Sequence, residues 1–294
     1  MQVSRRQFLR YCTGSAAALG LSGIQLKTLA DVLARGDGPN VIWLVGSGCS
    51  GCSVSFMNLI SEQSPHEIGE VLIDLINLAY HPTIMAAAGE TAAEAAQVGG
   101  EYILAVEGGV PTAFGGAACW AWTVDGEEAT FQQVVEEFAA GASHIMCVGE
   151  CSAWGGIPAA PPNPTGVVGV SQLTGRTTIN VAGCPPHPDW IAWVLVRLLL
   201  GQPITLDEYG RPSALFTKKV HSTCPMKYQP QAQQFGQEGH CFEDLGCRGK
   251  YTYADCPDRQ FNGGVNWCAR AGSPCIGCAN PDFPGTEAFF KVDA

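Results

Sequence analysis

Four cysteines stand just behind short apolar runs, each reached through glycine. Cys49 and Cys52 follow VIWLVG (41–46), Cys151 follows HIMCV (144–148) and Cys184 follows TTINV (177–181). Runs of this length, bounded by glycine, read as strands buried on both faces. VLIDLINLAY (71–80) and YILAV (102–106) predict two more strands. TFQQVVEEFAAGA (130–142) and DWIAWVLVRLLLG (189–201) have helical periodicity, each closed by glycine. Alternating strands and helices predict an α/β fold with a doubly wound parallel sheet. Ligands of such sheets lie beyond the carboxyl ends of the strands. The topology therefore brings the four cysteines to one edge.

After about residue 205 the pattern changes. CPMKYQPQ, GQEGH, GCRGK and FNGGVNW are rich in turn residues and lack periodicity. The division predicted is residues 35–204 for the sheet domain and 205–294 for a second, irregular domain. The second part holds seven of the 14 cysteines and reads as too loose to fold on a core alone, so bound metal is expected to help hold it. Disulfides are the other use of so much cysteine, but they mainly serve short secreted chains without a core. This chain is 46% hydrophobic over 294 residues. Its net charge of -11 argues against nucleic-acid binding and suits a basic protein partner. No apolar run is long enough for a clean transmembrane helix.

The N-terminus, SRRQFLRYC, reads as a twin-arginine signal: Arg5 and Arg6, a polar residue, then Phe8 and Leu9, followed by a moderately apolar stretch. Residues 1–34 are the expected signal, with cleavage after Ala34. This route exports folded proteins, so thiols already bound to metal escape oxidation on the way. The mature chain would carry twelve Lys and Arg against twenty-six Asp and Glu.

The cysteines fall into groups. The first is Cys49, Cys52, Cys151 and Cys184, four thiolates that suit an iron–sulfur cubane. A zinc site usually pairs two C-x-x-C knuckles, and a thioredoxin-type pair leaves Cys151 and Cys184 unexplained. Neighbouring glycines let backbone N–H groups approach the sulfurs. The second group is His221, Cys224, Cys241 and Cys247. An imidazole in place of one thiolate makes a cluster less negative and raises its potential. The third is Cys256 with NWCARAGSPCIGC, which adds Cys268, Cys275 and Cys278. Whether Cys268 is a ligand or a small buried residue is left open by spacing alone.

The segments GCSGCS, GECSAWGGIPAAPPNPTG, AGCPPHPDW, HSTCP, LGCRGKYTYADCP and NWCARAGSPCIGCANPDFP resemble the small subunit of the NiFe hydrogenases, from about residue 40 to the C-terminus. Cysteine at 268, where most such hydrogenases have proline, resembles the selenium-containing NiFeSe periplasmic branch. The resemblance implies a flavodoxin-like domain followed by an irregular iron–sulfur-cluster-binding domain. It implies a proximal 4Fe–4S cluster on Cys49, Cys52, Cys151 and Cys184, and a distal 4Fe–4S cluster on His221, Cys224, Cys241 and Cys247. A medial cluster is implied on Cys256, Cys275 and Cys278, 4Fe–4S with Cys268 as fourth ligand and 3Fe–4S without it. It further implies a large subunit that holds nickel and iron, and an external acceptor such as a cytochrome c. The chain is then the electron-transfer subunit of a periplasmic hydrogenase, H2 = 2 H+ + 2 e-, with any membrane association made through partners. Oxygen-tolerant members carry two extra cysteines where Gly51 and Gly156 stand here, so an ordinary proximal cubane is implied.

Cys12 lies in the signal, and Cys119 and Cys147 remain outside the ligand sets. Cys147, in a predicted strand, reads as a buried inert thiol. Glu107, in VEGGVPT (106–112), reads as a solvated or structural carboxyl rather than a proton relay. Two other classes of function compete. One is the cluster subunit of another redox complex, such as the quinone-reductase subunit of respiratory complex I, which resembles only the first domain. The other is a disulfide-stabilised exported binding protein.

Overall fold

The computed structural model describes residues 39–59, 68–72 and 76–285. Residues 1–34, read above as a signal and including Cys12, lie outside them. Five parallel strands make the central sheet: β1 (Asn40–Val45), β2 (Asn77–Tyr80), β3 (Tyr102–Glu107), β4 (His144–Val148) and β5 (Ile179–Val181). Their order is β2-β1-β3-β4-β5. This is the doubly wound order whose direction reverses between β1 and β3, the place where such sheets bind ligands.

The predicted strand over 71–80 shortens to Asn77–Tyr80, and Val71 and Leu72 are helical. An apolar run alone does not separate a buried strand from a buried helical turn.

Alternation along the strands feeds two cores. Val41, Trp43, Ile103, Ala105, Met146 and Val148 face one side. Ile42, Leu44, Leu104, Val106, Ile145 and Cys147 face the other. Helix α1 (Gly51–Met57) leaves β1, α2 (Phe131–Gly141) covers the second face, and α3 (Glu150–Trp154) leaves β4. Helix α2 starts where the sequence dictates: Thr130 and Gln133 form a reciprocal capping box, and Phe131, Val134, Val135 and Phe138 point inward. Helix α4 (Pro188–Leu199) starts at Pro188 behind an N-cap His187, whose ring nitrogen accepts from Asp189 N.

Helix α4 also fastens the C-terminal segment. Trp190 packs edge-on against Phe216 with centroids 5.2 Å apart, and its Nε1 donates to Asp255 Oδ1 at 3.0 Å. Arg259 donates to Asp189 at 3.0 Å. Only short helices punctuate this segment, among them α5 (Val220–Thr223) and α6 (Cys256–Arg259). Phe216, Val220, Phe242 and Trp267 nevertheless belong to the same apolar cluster as Trp190 and the sheet. The C-terminal segment thus has more apolar anchorage than its turn-rich sequence predicts.

Candidate metal centres

The first centre is assembled by the sheet. Cys49 and Cys52 flank the entry to α1, Cys151 lies in α3 and Cys184 follows β5. Burial pushes the Cys52 thiol well up, and Glu107 and the thiols of Cys151, Cys184 and Cys49 push it further. Cys151 is raised to about 12 and Cys184 to about 11, in each case by burial first and then by neighbouring thiols of the same group. Buried thiols that repel one another as thiolates need a cationic centre in order to ionise, and coordinated iron supplies that charge. The backbone is shaped to the sulfurs. A Cβ on Gly149, whose φ is +94°, would stand 2.5 Å from Cys52 Sγ.

Glu107, at the end of β3, is buried beneath this centre, so it is structural rather than solvated. Its Oε1 accepts from Cys52 N at 3.0 Å, and its Oε2 accepts from Trp43 Nε1 at 3.1 Å. Ser53 N donates to it at 3.1 Å, and the Ser53 hydroxyl donates a further bond. The group thereby satisfies amides at the start of α1, which is where a helix favours an acceptor. Behind Ser53 lies His81, fully buried, with Nε2 3.1 Å from Ser53 Oγ. Thr83 N donates to His81 Nδ1 at 3.1 Å, which assigns the ring proton of the neutral imidazole to Nε2. Sequence reading found Glu107 but missed Ser53 and His81, because residues far apart in the chain carry no joint signal. Glu150, beside Cys151, was also missed. It is buried, its Oε1 accepts from Gly183 N at 3.2 Å, and burial raises its carboxyl well above the usual range.

The second centre is a cavity of about 220 Å³. Cys256, Cys268, Cys275 and Cys278 line it, with Trp190 and Trp267 among its apolar walls. Folded interiors hold few voids larger than a water, so a space this size ringed by four thiols fits a bulky metal group. Cys268 is not a bystander in space: it pushes up the thiols of Cys256, Cys275 and Cys278 after burial has done most of the work.

The third centre is a surface pocket lined by His221, Cys224, Cys241 and Cys247. Cys224 is raised by burial and then by Cys247 and Cys241. Among the described residues no three His, Cys, Asp or Glu side chains are placed to hold a single metal ion. At the second centre the four thiols ring a volume of about 220 Å³, which suits a cluster better than mononuclear zinc. Every described cysteine is a free thiol. Cys147 lies outside the three groups, fully buried and pushed up to about 12 by that burial, and Cys119 is half-buried.

The centres are joined in series. Cys184 of the first group also lines the cavity of the second, beside Cys278 and Cys256, which links the first to the second. The Cys275 amide donates to Cys247 Sγ at 3.4 Å, linking the second to the third.

Comparison with known proteins agrees with this arrangement. Residues 216–291 match the C-terminal family of the NiFe/NiFeSe hydrogenase small subunit, and residues 49–198 match NADH ubiquinone oxidoreductase, 20 Kd subunit. The chain is 39% identical to the periplasmic NiFeSe hydrogenase small subunit of Desulfomicrobium baculatum, covering 99% of each. The chain belongs to the NiFe/NiFeSe hydrogenase small-subunit family. It is also 39% identical to the periplasmic NiFe hydrogenase small subunit of Solidesulfovibrio fructosivorans, covering 98% of this chain and 92% of that one. The structure of the recombinant NiFeSe hydrogenase from Desulfovibrio vulgaris Hildenborough superposes with a TM-score of 0.79 at 36% identity, over 87% of this chain and 98% of that one. Within this family fold, Gly51 and Gly156 adjoin the first centre: a Cβ on either would lie 3.1 Å from the sulfur of Cys49 or Cys151, respectively.

The buried network makes a pH prediction for this hydrogenase subunit. Burial lowers His81 to about 4. The unfolded chain takes up this proton near pH 6.5, while the folded chain resists until about pH 4. Stability contributed by neutral His81 is therefore present above about pH 6.5 and falls away towards pH 4. A His81→Gln variant is expected to melt with a flatter acid dependence between pH 6.5 and 5. An unchanged slope would show that His81 carries none of that acid sensitivity.

Proposed function

We propose that this electron-transfer subunit of a hydrogenase works as a three-centre wire. The family's catalytic site lies in a separate large subunit, with which the small subunit functions as a heterodimer. Cys49, Cys52, Cys151 and Cys184 would hold a proximal 4Fe–4S cluster, Cys256, Cys268, Cys275 and Cys278 a medial one, and His221, Cys224, Cys241 and Cys247 a distal one. Bound there, the clusters would supply one-electron carriers. The observation that carries this reading is the serial adjacency of the three groups: Cys184 lines the cavity of the second, the Cys275 amide donates to Cys247 of the third, and Cys247 shares its pocket with a half-exposed His221.

The large subunit is expected to cover the sheet edge around the exposed Cys49. Val54, Met57, Phe114 and Ile157 lie on segments leaving that edge and are 42–77% exposed. Apolar side chains of this size gathered at one edge mark an interaction surface. Residues 1–34 would export the folded protein to the periplasm, the compartment named for its relatives. Residues 35–204 and 205–294 would be its two domains. The acceptor at His221 would be an external redox protein such as a cytochrome c.

The test is His221→Cys in the purified heterodimer. A fourth thiolate adds a negative charge to the distal site and lowers its potential. Hydrogen-driven reduction of an external protein acceptor should fall roughly tenfold or more, on the scale of ligand-environment changes at metal sites. Hydrogen/deuterium exchange should persist, because it needs no electron exit. Loss of both together would make His221 structural rather than part of the exit.

A further inference from the structure

The chain is acidic, but its charge is not evenly spread. Residues 216–251, which carry the third centre, hold five Lys and Arg against three Asp and Glu. The rest of residues 35–294 holds seven against twenty-three. Four of the five lysines beyond residue 34 are Lys218, Lys219, Lys227 and Lys250, all in this segment.

Their placement follows from the fold. Lys219 is the N-cap of α5, the helix that carries His221, and Lys218 precedes it; both are exposed. Lys250 lines the same pocket as His221, and Lys227 follows Cys224, to whose carbonyl its amide donates at 3.2 Å. Glu243, which also lines that pocket, is bound to Lys250 in an ion pair. Between the lysines stand aromatic side chains. Tyr228 is 88% exposed, with Lys227 Nζ 5.0 Å from its ring centroid, and Tyr251 is 70% exposed beside Lys250. Aromatic side chains are enriched at docking sites and the rim is polar, so Tyr228 and Tyr251 supply contact here within a rim of lysines.

We propose that the distal face docks an acidic redox protein, one whose exposed redox centre is ringed by Asp and Glu. This inference rests on the wire reading above and reverses the expectation from net charge. The reversal has a physical reason. At physiological ionic strength charges separated by more than about 8 Å are largely screened, so a docked partner responds to the collar under it rather than to the distant acidic surface. The collar then fixes orientation and speeds encounter, while the tyrosines supply apolar contact.

The experiment uses the intact heterodimer and two haem-protein probes: an acidic cytochrome b5 and a lysine-rich cytochrome c, both more oxidising than the hydrogen couple. Binding is measured without hydrogen, and probe reduction is measured with it. The acidic probe should bind tighter and be reduced faster, with both effects falling as salt rises. The triple variant Lys218→Glu, Lys219→Glu, Lys227→Glu should weaken binding and slow reduction of the acidic probe by tenfold or more, the lower end of electrostatic steering effects. It should improve the basic probe and leave hydrogen/deuterium exchange unchanged. Preferential binding of the basic probe by the unaltered protein, or indifference of the acidic probe to the triple variant, would overturn the proposal. A heterodimer whose His221→Cys variant reduces acceptors at the unaltered rate would instead sink the wire reading, whichever probe binds.

Discussion

A Cys268→Pro variant is expected to show the EPR signal of an oxidised three-iron cluster, which the unaltered protein should lack. The four thiols of the second centre surround one cavity, and Cys268 interacts with each of the other three. Proline would take away one of four donors and leave the other three in place. Among the described residues the Cys268 amide donates no backbone hydrogen bond for proline to break. Its carbonyl, which accepts from Ser273 N at 2.9 Å, is untouched. Three thiolates suit a 3Fe–4S group, whose oxidised form has half-integer spin, whereas a four-thiolate cubane is diamagnetic when oxidised at ordinary potentials. Cys268→Ala should give the same signal, which separates loss of the ligand from any effect of the ring. If both variants keep a full complement of medial iron and show no such signal, Cys268 is not a ligand.

Glu107→Gln is expected to be the most destabilising conservative change at the sheet edge. Trp43 Nε1, Cys52 N, Ser53 N and Ser53 Oγ all donate to the two oxygens of Glu107. An amide of the same shape replaces one acceptor with a donor, so at least one buried donor loses its partner and meets another donor. Each such loss costs about 1–3 kcal/mol, and the group sits where no water replaces the bond. A penalty of about 3 kcal/mol lowers the melting temperature of a domain this size by roughly 6–12 °C. The same change loosens the Cys49–Cys52 turn, so proximal-cluster content should fall in parallel. A Glu107→Gln heterodimer with unaltered melting and full cluster content would contradict the structural role of this carboxyl.

The sheet was legible because its strands are short apolar runs with glycine at their ends, and because the cysteines stand immediately behind them. Helix α2 was legible from periodicity, and Thr130 with Gln133 marks its start. The hairpin of Trp120–Val124 and Glu127–Thr130 was missed, although Asp125-Gly126 between them, with φ of 51° and 80°, is a strong two-residue turn signal. The grouping of the candidate ligands was less legible. Cys151 and Cys184 could be joined to Cys49 and Cys52 through the predicted topology. Cys256 was grouped with Cys268, Cys275 and Cys278 by order along the chain alone, and the standing of Cys268 was left open, because the C-terminal segment has no regular pattern from which to derive contacts. The His81–Ser53–Glu107 network was hidden for another reason. Each member is ordinary in sequence, and only the pairing of β1 with β2 and β3 brings their segments together. The lysine collar was present in the composition, but a net charge conceals it.

Iron-edge anomalous diffraction from anaerobic crystals of the heterodimer tests the central claim most directly. Within this subunit the account predicts three groups of four iron peaks. One lies among Cys49, Cys52, Cys151 and Cys184, one among Cys256, Cys268, Cys275 and Cys278, and one among Cys224, Cys241, Cys247 and a ring nitrogen of His221. A medial group of three with the Cys268 sulfur off iron, or a distal group that His221 does not touch, would contradict it.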